Sequence, residues 1–425
     1  MNHGPIGISD IELYIPDSRM ELGQILQKRS SENPAFERRL KKAIESTGQK
    51  AIRFPADWED SATMSANATR SLLKRRLKQS GSLKGLRFLA TGTETSLDLS
   101  KPLSAYVQGM LQKSGLALPP TLSSFQVQHA CAGGTIALLS VASSLAVAGT
   151  SGEFGLISCS DIARYDTGST AEITQGAGAA TMLVEKNPDL LEIDLATQGY
   201  ASADVDDFFR PLDSITAKVK GQYSMQCYNE AANHAFQDHC NRLGKPPAQV
   251  LADADYFVFH VPFAKMAYTA ARSLLTQYLH ILDGEVDEYL KPRGFFEALE
   301  TTAQVGNIYT GAAYLNLASL LYNEWKAKGS AIIGKTILVS SYGSGNTMVV
   351  FSARIAANAC KVIANWNIPG LIADYKDCNF DTYSEWISKD PKLGCSKPDH
   401  HDIPSGRFFL QSIRDDGYRE YAYKS

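Results

Sequence analysis

A run without a single charge, ACAGGTIALLSVASSLAVAGTSG from Ala130 to Gly152, constrains the fold most. It is long enough to span a bilayer, yet it is broken by Gly and Ser, and nothing else in the chain resembles a span. The reading it supports is a helix sealed inside a globular core, with Cys131 at its start. A chain of 425 residues is long enough to build a core of that size.

Around this run, apolar-alternating segments at 7–16, 86–94, 123–131, 154–161, 180–187, 190–200, 255–262, 335–345 and 347–355 read as strands. Segments with helical spacing at 62–79, 132–149, 224–243, 263–282 and 308–328 lie between them. Strand alternating with helix predicts an α/β protein with partly parallel sheets. The order strand, helix, strand, helix, strand, strand runs twice, the second pass starting near Leu190. This predicts two pseudo-repeated halves, 1–189 and 190–355, and an extension, 356–425. In the extension, RFFLQSIRDDGYREYAY reads as a hairpin turning at Asp415-Asp416-Gly417.

Lys and Arg total 42 against 45 Asp and Glu, so net charge gives no reason to expect nucleic acid or an anionic membrane as partner. The seven cysteines are scattered, without CxxC pairs or zinc spacing, as expected of reduced thiols. The opening MNHGPIGISDIELYIP has no basic region followed by an apolar one, and a cytoplasmic location is expected. The group CSKPDHHD at 395–402 fits no metal-site spacing, and the basic segment 68–85 reads as a solvated helix face or an anion-attracting one.

A thiol at the first turn of a helix meets backbone N–H groups and the positive end of the helix dipole, which favour thiolate. Ala132, Gly133 and Gly134 would leave room for a substrate and for amides aimed at an oxyanion. Cys131 is therefore either a nucleophile or a structural cysteine. Glu94 ends an apolar strand in a Gly/Thr-rich turn, where it is a base with a raised pKa or a solvated loop carboxylate. His260 ends another strand, at an edge where α/β proteins bind ligands, or is a satisfied core histidine. Lys265 meets a phosphate or is solvated; Asn307 can donate and accept beside a glycine. No Rossmann or Walker pattern supports nucleotide redox or phosphoryl transfer.

Eight motifs in order, TGTETSLDLSKP, QHACAGGT, SDIARYDTGSTAEITQGAGAA, DDFFRP, GQYSMQCY, FHVPFAKM, VGNIYTGAAYL and SYGSGN, resemble the 3-hydroxy-3-methylglutaryl-CoA (HMG-CoA) synthase family of the thiolase superfamily. The resemblance runs from about Ile6 to Phe351, and the tail hairpin is similar as well. It implies the thiolase-like fold, two α/β halves in five α-β-α-β-α layers, as a homodimer. The implied reaction condenses acetyl-CoA with acetoacetyl-CoA and water to give HMG-CoA and CoA, a step toward mevalonate and isoprenoids, without metal or other cofactor. By motif, Cys131 would be the acyl acceptor, Glu94 the general base/acid, and His260 the group that polarises the acetoacetyl ketone. Asn307 would hold the acetoacetyl portion, and backbone amides near Cys131 and Ser344 the enolate oxygen. Asp161, Tyr165 and Thr174 would shape the acyl pocket, and Lys265 would sit near CoA phosphates. His129 and Lys220 depart from the usual residues of relatives, an uncharged amide and an acid.

Three other readings share many of these features. An enzyme of the same chemistry acting on substrates tethered to an acyl carrier protein would keep all three catalytic residues. A decarboxylating ketoacyl synthase would use Cys131, His260 and Asn307 without needing Glu94. A non-catalytic acyl-CoA binder would bind without acyl transfer.

Overall fold

The computed structural model describes residues 4–389 and 402–425. Of the 395–402 group, only Asp402 falls within them. Strands β1 (Ile6–Tyr14), β2 (Leu86–Gly92), β3 (Ser123–Val127), β4 (Phe154–Ala163) and β5 (Gly176–Lys186) form the first half. The second half holds β6 (Leu191–Ile193), β7 (Gly199–Ser202), β8 (Tyr256–Phe259), β9 (Thr336–Gly343) and β10 (Thr347–Ile355). The segment 190–200, expected as one strand, is split because the Asp194 carboxylate turns the chain by accepting from Ala196 N and Thr197 Oγ1.

The repeat is visible in the pairing. β2 is parallel to β4, β4 antiparallel to β5, and β5 antiparallel to β1. β8, β9, β10 and β7 repeat the same order and the same senses. β6 joins the halves by pairing with both β1 and β10, so the ten strands form one connected sheet, nine along a path and β7 branching from β10.

Helices follow the same repeat. α1 (Ser61–Ser80) links β1 to β2, and α4 (Gly221–Leu243) links β7 to β8. α3 (Gly133–Ala148) and α6 (Ala312–Lys328) precede β4 and β9, while α2 (Leu103–Lys113) and α5 (Ala264–Leu279) complete the frame. Alternate residues of each strand enter different cores, as the period of two requires. On β9, Ile337 and Val339 join the core around α3 and α6, whereas Leu338 and Tyr342 join the one under α4 and α5. On β4 and β5, Ile157 and Met182 face the central core, whereas Leu156 and Leu183 face α1 and α2. Five layers result, with α3 and α6 in the middle.

The charge-free run is thus a core helix. By length and composition it is the one helix among the described residues that could cross a membrane, but it packs in the central core. Thr135 Oγ1 lies 2.7 Å from the Tyr314 hydroxyl of α6 and donates to Ser341 Oγ of β9 at 2.8 Å. On the basic helix, Arg75 meets Asp10 and Glu12 on β1, and Arg76 meets Glu185 on β5.

The chain's end returns to the first half. β11 (Arg407–Ile413) and β12 (Arg419–Lys424) form the expected antiparallel hairpin. Phe408, Leu410 and Tyr421 enter the core of α1 and α2, and Asn67 exchanges two hydrogen bonds with the Phe408 backbone.

One contact fixes where α3 begins. A Cβ on Gly92 would stand 2.3 Å from both Cα and N of Gly134, a clash of backbone with backbone. The substitution G92A is expected to cost on the order of 3 kcal/mol in denaturant unfolding, because neither β2 nor α3 has room to retreat.

Candidate active site

The Gly92–Gly134 contact brings the turn after β2 against the residues before α3. That turn, Thr93–Thr95, is held by Asp161 of β4. Asp161 Oδ1 accepts from Thr93 Oγ1 (2.9 Å), Glu94 N (2.8 Å), Thr95 N (2.9 Å) and Thr95 Oγ1 (2.7 Å). Oδ2 accepts from Thr310 N (3.1 Å) and Thr310 Oγ1 (2.5 Å), just before α6. Burial raises the Asp161 pKa while these donors pull it down. Its expected place in the acyl pocket is corrected: every bond of the carboxylate goes to the scaffold.

So held, Glu94 turns its carboxylate inward, 8% exposed. Oε2 accepts from the Cys131 thiol at 3.7 Å, and Oε1 from Arg210 Nη2 at 2.5 Å. Burial pushes its pKa up to about 7; Arg210 pulls it down and Asp161 pushes it further up.

Cys131 is buried, and Ala130 before it takes a positive φ of 41°, strained for a residue with a Cβ. Two expectations fail here. Burial, followed by the negative charges of Glu94 and Asp161, drives the thiol pKa well above its ordinary value, so the resting sulfur is a thiol. The small residues after it serve packing, since Cβ atoms on Gly133 and Gly134 would meet Val127 O at 2.8 Å and Cys159 Sγ at 2.3 Å. The amides of Ala132 and Gly133 already donate to His129 O and Ala130 O.

The second half closes over the thiol. At Gly343, which ends β9 just before Ser344, a Cβ would stand 2.4 Å from His129 O, so the end of β9 is pressed against the Cys131 loop. His260 leaves β8 with its N–H on Ser340 O (2.7 Å) and its carbonyl on the Tyr228 hydroxyl (2.9 Å). Its ring is buried, Nδ1 has no partner, and burial lowers its pKa to about 3. Tyr228, beside His260, is electrostatically coupled to Cys131. Tyr165, Tyr309 and Phe208 cage the sulfur, their rings edge to face at 5.8–6.5 Å.

Asn307 Oδ1 accepts from Tyr309 N (2.8 Å), and its own N–H donates to Thr174 O (3.1 Å). The Thr174 hydroxyl is spent on Ala171 O, so this residue supports Asn307 through its carbonyl. Lys265, in the first turn of α5, donates to Glu45 O. A cleft of about 1100 Å³ opens onto Glu94, Ala130, Phe208, Arg210 and Ser344. Lys265, His260 and Asn307 are not on its wall. His129 is half-buried, which lowers its pKa, and Lys220 is exposed with its ammonium on Asp206, unbonded to His260.

Sequence reasoning passed over Arg210. It stands within the quoted DDFFRP motif, but only the fold brings it, 116 residues away, against Glu94.

Substituting D161N keeps the shape but turns one acceptor oxygen into a donor that faces other donors. Unfolding free energy is expected to fall by about 3 kcal/mol, measured by chemical denaturation.

Comparison with known proteins agrees with this geometry. Residues 3–189 match the profile Hydroxymethylglutaryl-coenzyme A synthase N terminal, and residues 192–293 and 295–424 match the C terminal profile. A Hydroxymethylglutaryl-CoA synthase of Haloferax volcanii is 28% identical over 89% of this chain and 90% of its own. One of Enterococcus faecalis is 28% identical over 83% of each. The solved structure of MvaS in complex with 3-hydroxy-3-methylglutaryl coenzyme A is 28% identical, covers 99% of this chain and all of its own, and superposes with a TM-score of 0.85. A curacin-pathway HMG synthase in complex with holo donor-ACP shares the fold at 23% identity and a TM-score of 0.85. With both halves matched over nearly their whole length, the chain belongs to the hydroxymethylglutaryl-coenzyme A synthase family.

Proposed function

We propose that this enzyme condenses acetyl-CoA with acetoacetyl-CoA and water, giving HMG-CoA and free CoA. The observation that carries the reading is the buried pair at 3.7 Å, a thiol and a carboxyl group set side by side.

In the first transfer, the Cys131 sulfur attacks the acetyl carbonyl, its proton leaves with CoA, and an acetyl thioester remains on the enzyme. In the second, ionised Glu94 takes a proton from the acetyl methyl group, and that carbon attacks the ketone of acetoacetyl-CoA. The new alkoxide takes up a proton, supplied by the same carboxyl group. Water then cleaves the Cys131 thioester and releases the product's free carboxylate. His260 polarises the ketone as a neutral donor, because burial keeps its ring uncharged. Backbone N–H groups at Cys131 and Ser344 would stabilise the enolate oxygen, and Asn307 would hold the acetoacetyl portion. Tyr165 walls the acyl pocket, and Asp161 and Thr174 act through Glu94 and Asn307. Lys265 would meet CoA phosphates at the surface.

The reaction calls on side chains and thioesters alone, and we propose no resident cofactor or metal. A homodimer in the cytoplasm, on the route to mevalonate and isoprenoids, completes the reading. We keep 1–189, 190–355 and 356–425 as its structural units.

The deciding experiment mixes the enzyme with acetyl-CoA and acetoacetyl-CoA and identifies products by mass spectrometry. HMG-CoA is expected. Accumulation of acetyl-Cys131 alone would overturn the acceptor and make acylated carrier proteins the next substrates. C131S should abolish acetyl-enzyme, whereas E94A should still be acetylated yet lose condensation about a thousandfold. A near-silent E94A would favour decarboxylative chemistry instead.

The pH dependence follows from the same groups. Glu94 must be ionised to take the methyl proton, so the condensation rate should rise with pH through about 7, the value to which burial pushes its pKa. His260 should add no limb above pH 5, since its ring loses its proton near pH 3.

A further inference from the structure

We infer that Arg210 is the positioning residue of the base: its guanidinium holds Glu94 Oε1, keeps the carboxylate charged and leaves Oε2 turned to the sulfur. The inference rests on the reading of Glu94 as the base.

The geometry divides the carboxylate between two partners. Arg210 reaches Oε1 end-on through Nη2 alone at 2.5 Å, while Oε2 lies 3.7 Å from the thiol that would carry the acetyl group. The guanidinium is 18% exposed, lies 5.9 Å from the Tyr309 ring centre, and its Nε has no partner. Its hydrogen bond goes to Glu94 rather than into a structural network.

The loop that delivers it is itself fixed. Asp207 accepts from Ser224 Oγ at 3.0 Å, from the Tyr342 hydroxyl at 2.9 Å and from Gly345 N at 2.9 Å, next to Ser344. Phe208 and Phe209 pair with Val219 and Lys218 in a short ribbon, and Arg210 follows at its end.

The titratable and charged groups that face Glu94 are Arg210 from this loop, Asp161 from β4, Cys131 before α3, Tyr165 after β4 and Tyr309 before α6. Arg210 is the sole cation of the set. Burial and Asp161 both oppose ionisation, so removing Arg210 leaves the base protonated at neutral pH. Arginine suits the task because it stays charged in a site that would neutralise a lysine more readily.

The test compares wild type, R210M and R210K, with R210Q taking the place of R210M should that variant fail to fold by circular dichroism. Infrared titration of the Glu94 carboxyl, assigned by subtracting the matching E94Q spectra, reads its midpoint without substrate. The midpoint is expected to rise by at least about one pH unit in R210M and to stay within about half a unit of wild type in R210K. Condensation by R210M should drop about tenfold or more at pH 7 and recover toward pH 9, with acetyl-enzyme stoichiometry unchanged. An R210M midpoint equal to wild type would overturn the proposal, even if turnover fell, because Arg210 would then act on substrate or packing. Failure of the wild type to form HMG-CoA would sink the functional reading instead, and the infrared midpoint would still decide the role of Arg210.

Discussion

The site depends on the Asp161 carboxylate. One group on β4 takes four hydrogen bonds from the turn that carries Glu94 and two from Thr310 at the entrance to α6. Three segments distant in sequence are thereby held to one point, and the two halves of the repeat are joined where the chemistry is placed. A buried carboxylate is costly unless its lone pairs are met, and here six donors meet them. The same charge acts on its neighbours, raising the pKa of Glu94 and of Cys131, so the scaffold also sets the resting protonation state.

That resting state is neutral at the sulfur. A helix start alone would favour thiolate, but a dry cage and two acids outweigh it, against the opposing pull of the Arg210 cation. The thiol proton stays at home until substrate enters, which protects a buried nucleophile from oxidation and adventitious acylation. Arg210 pulls both groups toward their charged forms, but its hydrogen bond goes to Glu94 Oε1 and not to the sulfur. The two reactive groups touch and share Asp161 and Arg210 as charged neighbours, but only Glu94 is hydrogen-bonded to the cation.

Much of the architecture was legible because it rests on periodicity. Alternating apolar residues at 154–161 and 335–345 give β4 and β9, and the charge-free run gives α3. The doubled order of strands and helices survives as matching pairings, even with little identity between halves. Glu94, Cys131 and His260 each stand at the end of an apolar segment, which left catalytic and structural readings open, and the ordered motifs of the family resemblance assigned their roles. Their neighbourhood was not legible. The role of Asp161 depends on Thr310, and that of Arg210 on Glu94, contacts spanning 149 and 116 residues that no local pattern announces. The glycines after Cys131 misled for a similar reason, since whether a missing Cβ admits substrate or a neighbouring strand is decided by packing alone.

The division of the site between halves has a further consequence. Glu94 and Cys131 come from the first half; His260, Arg210 and Ser344 come from the second. Neither half holds a complete set, so the geometry exists only when α3 and α6 are packed together between the sheets. The hairpin β11–β12 strengthens that state from outside: Asp60 accepts from Arg419 and Tyr421, which ties the start of α1 to the last strand of the chain. Because α1 also packs on β4 and β5, the end of the chain braces the sheet that carries Asp161. Catalytic geometry is in this sense a property of the whole fold, and a loosened tail would be felt at Glu94 through β4 before any site residue moved on its own.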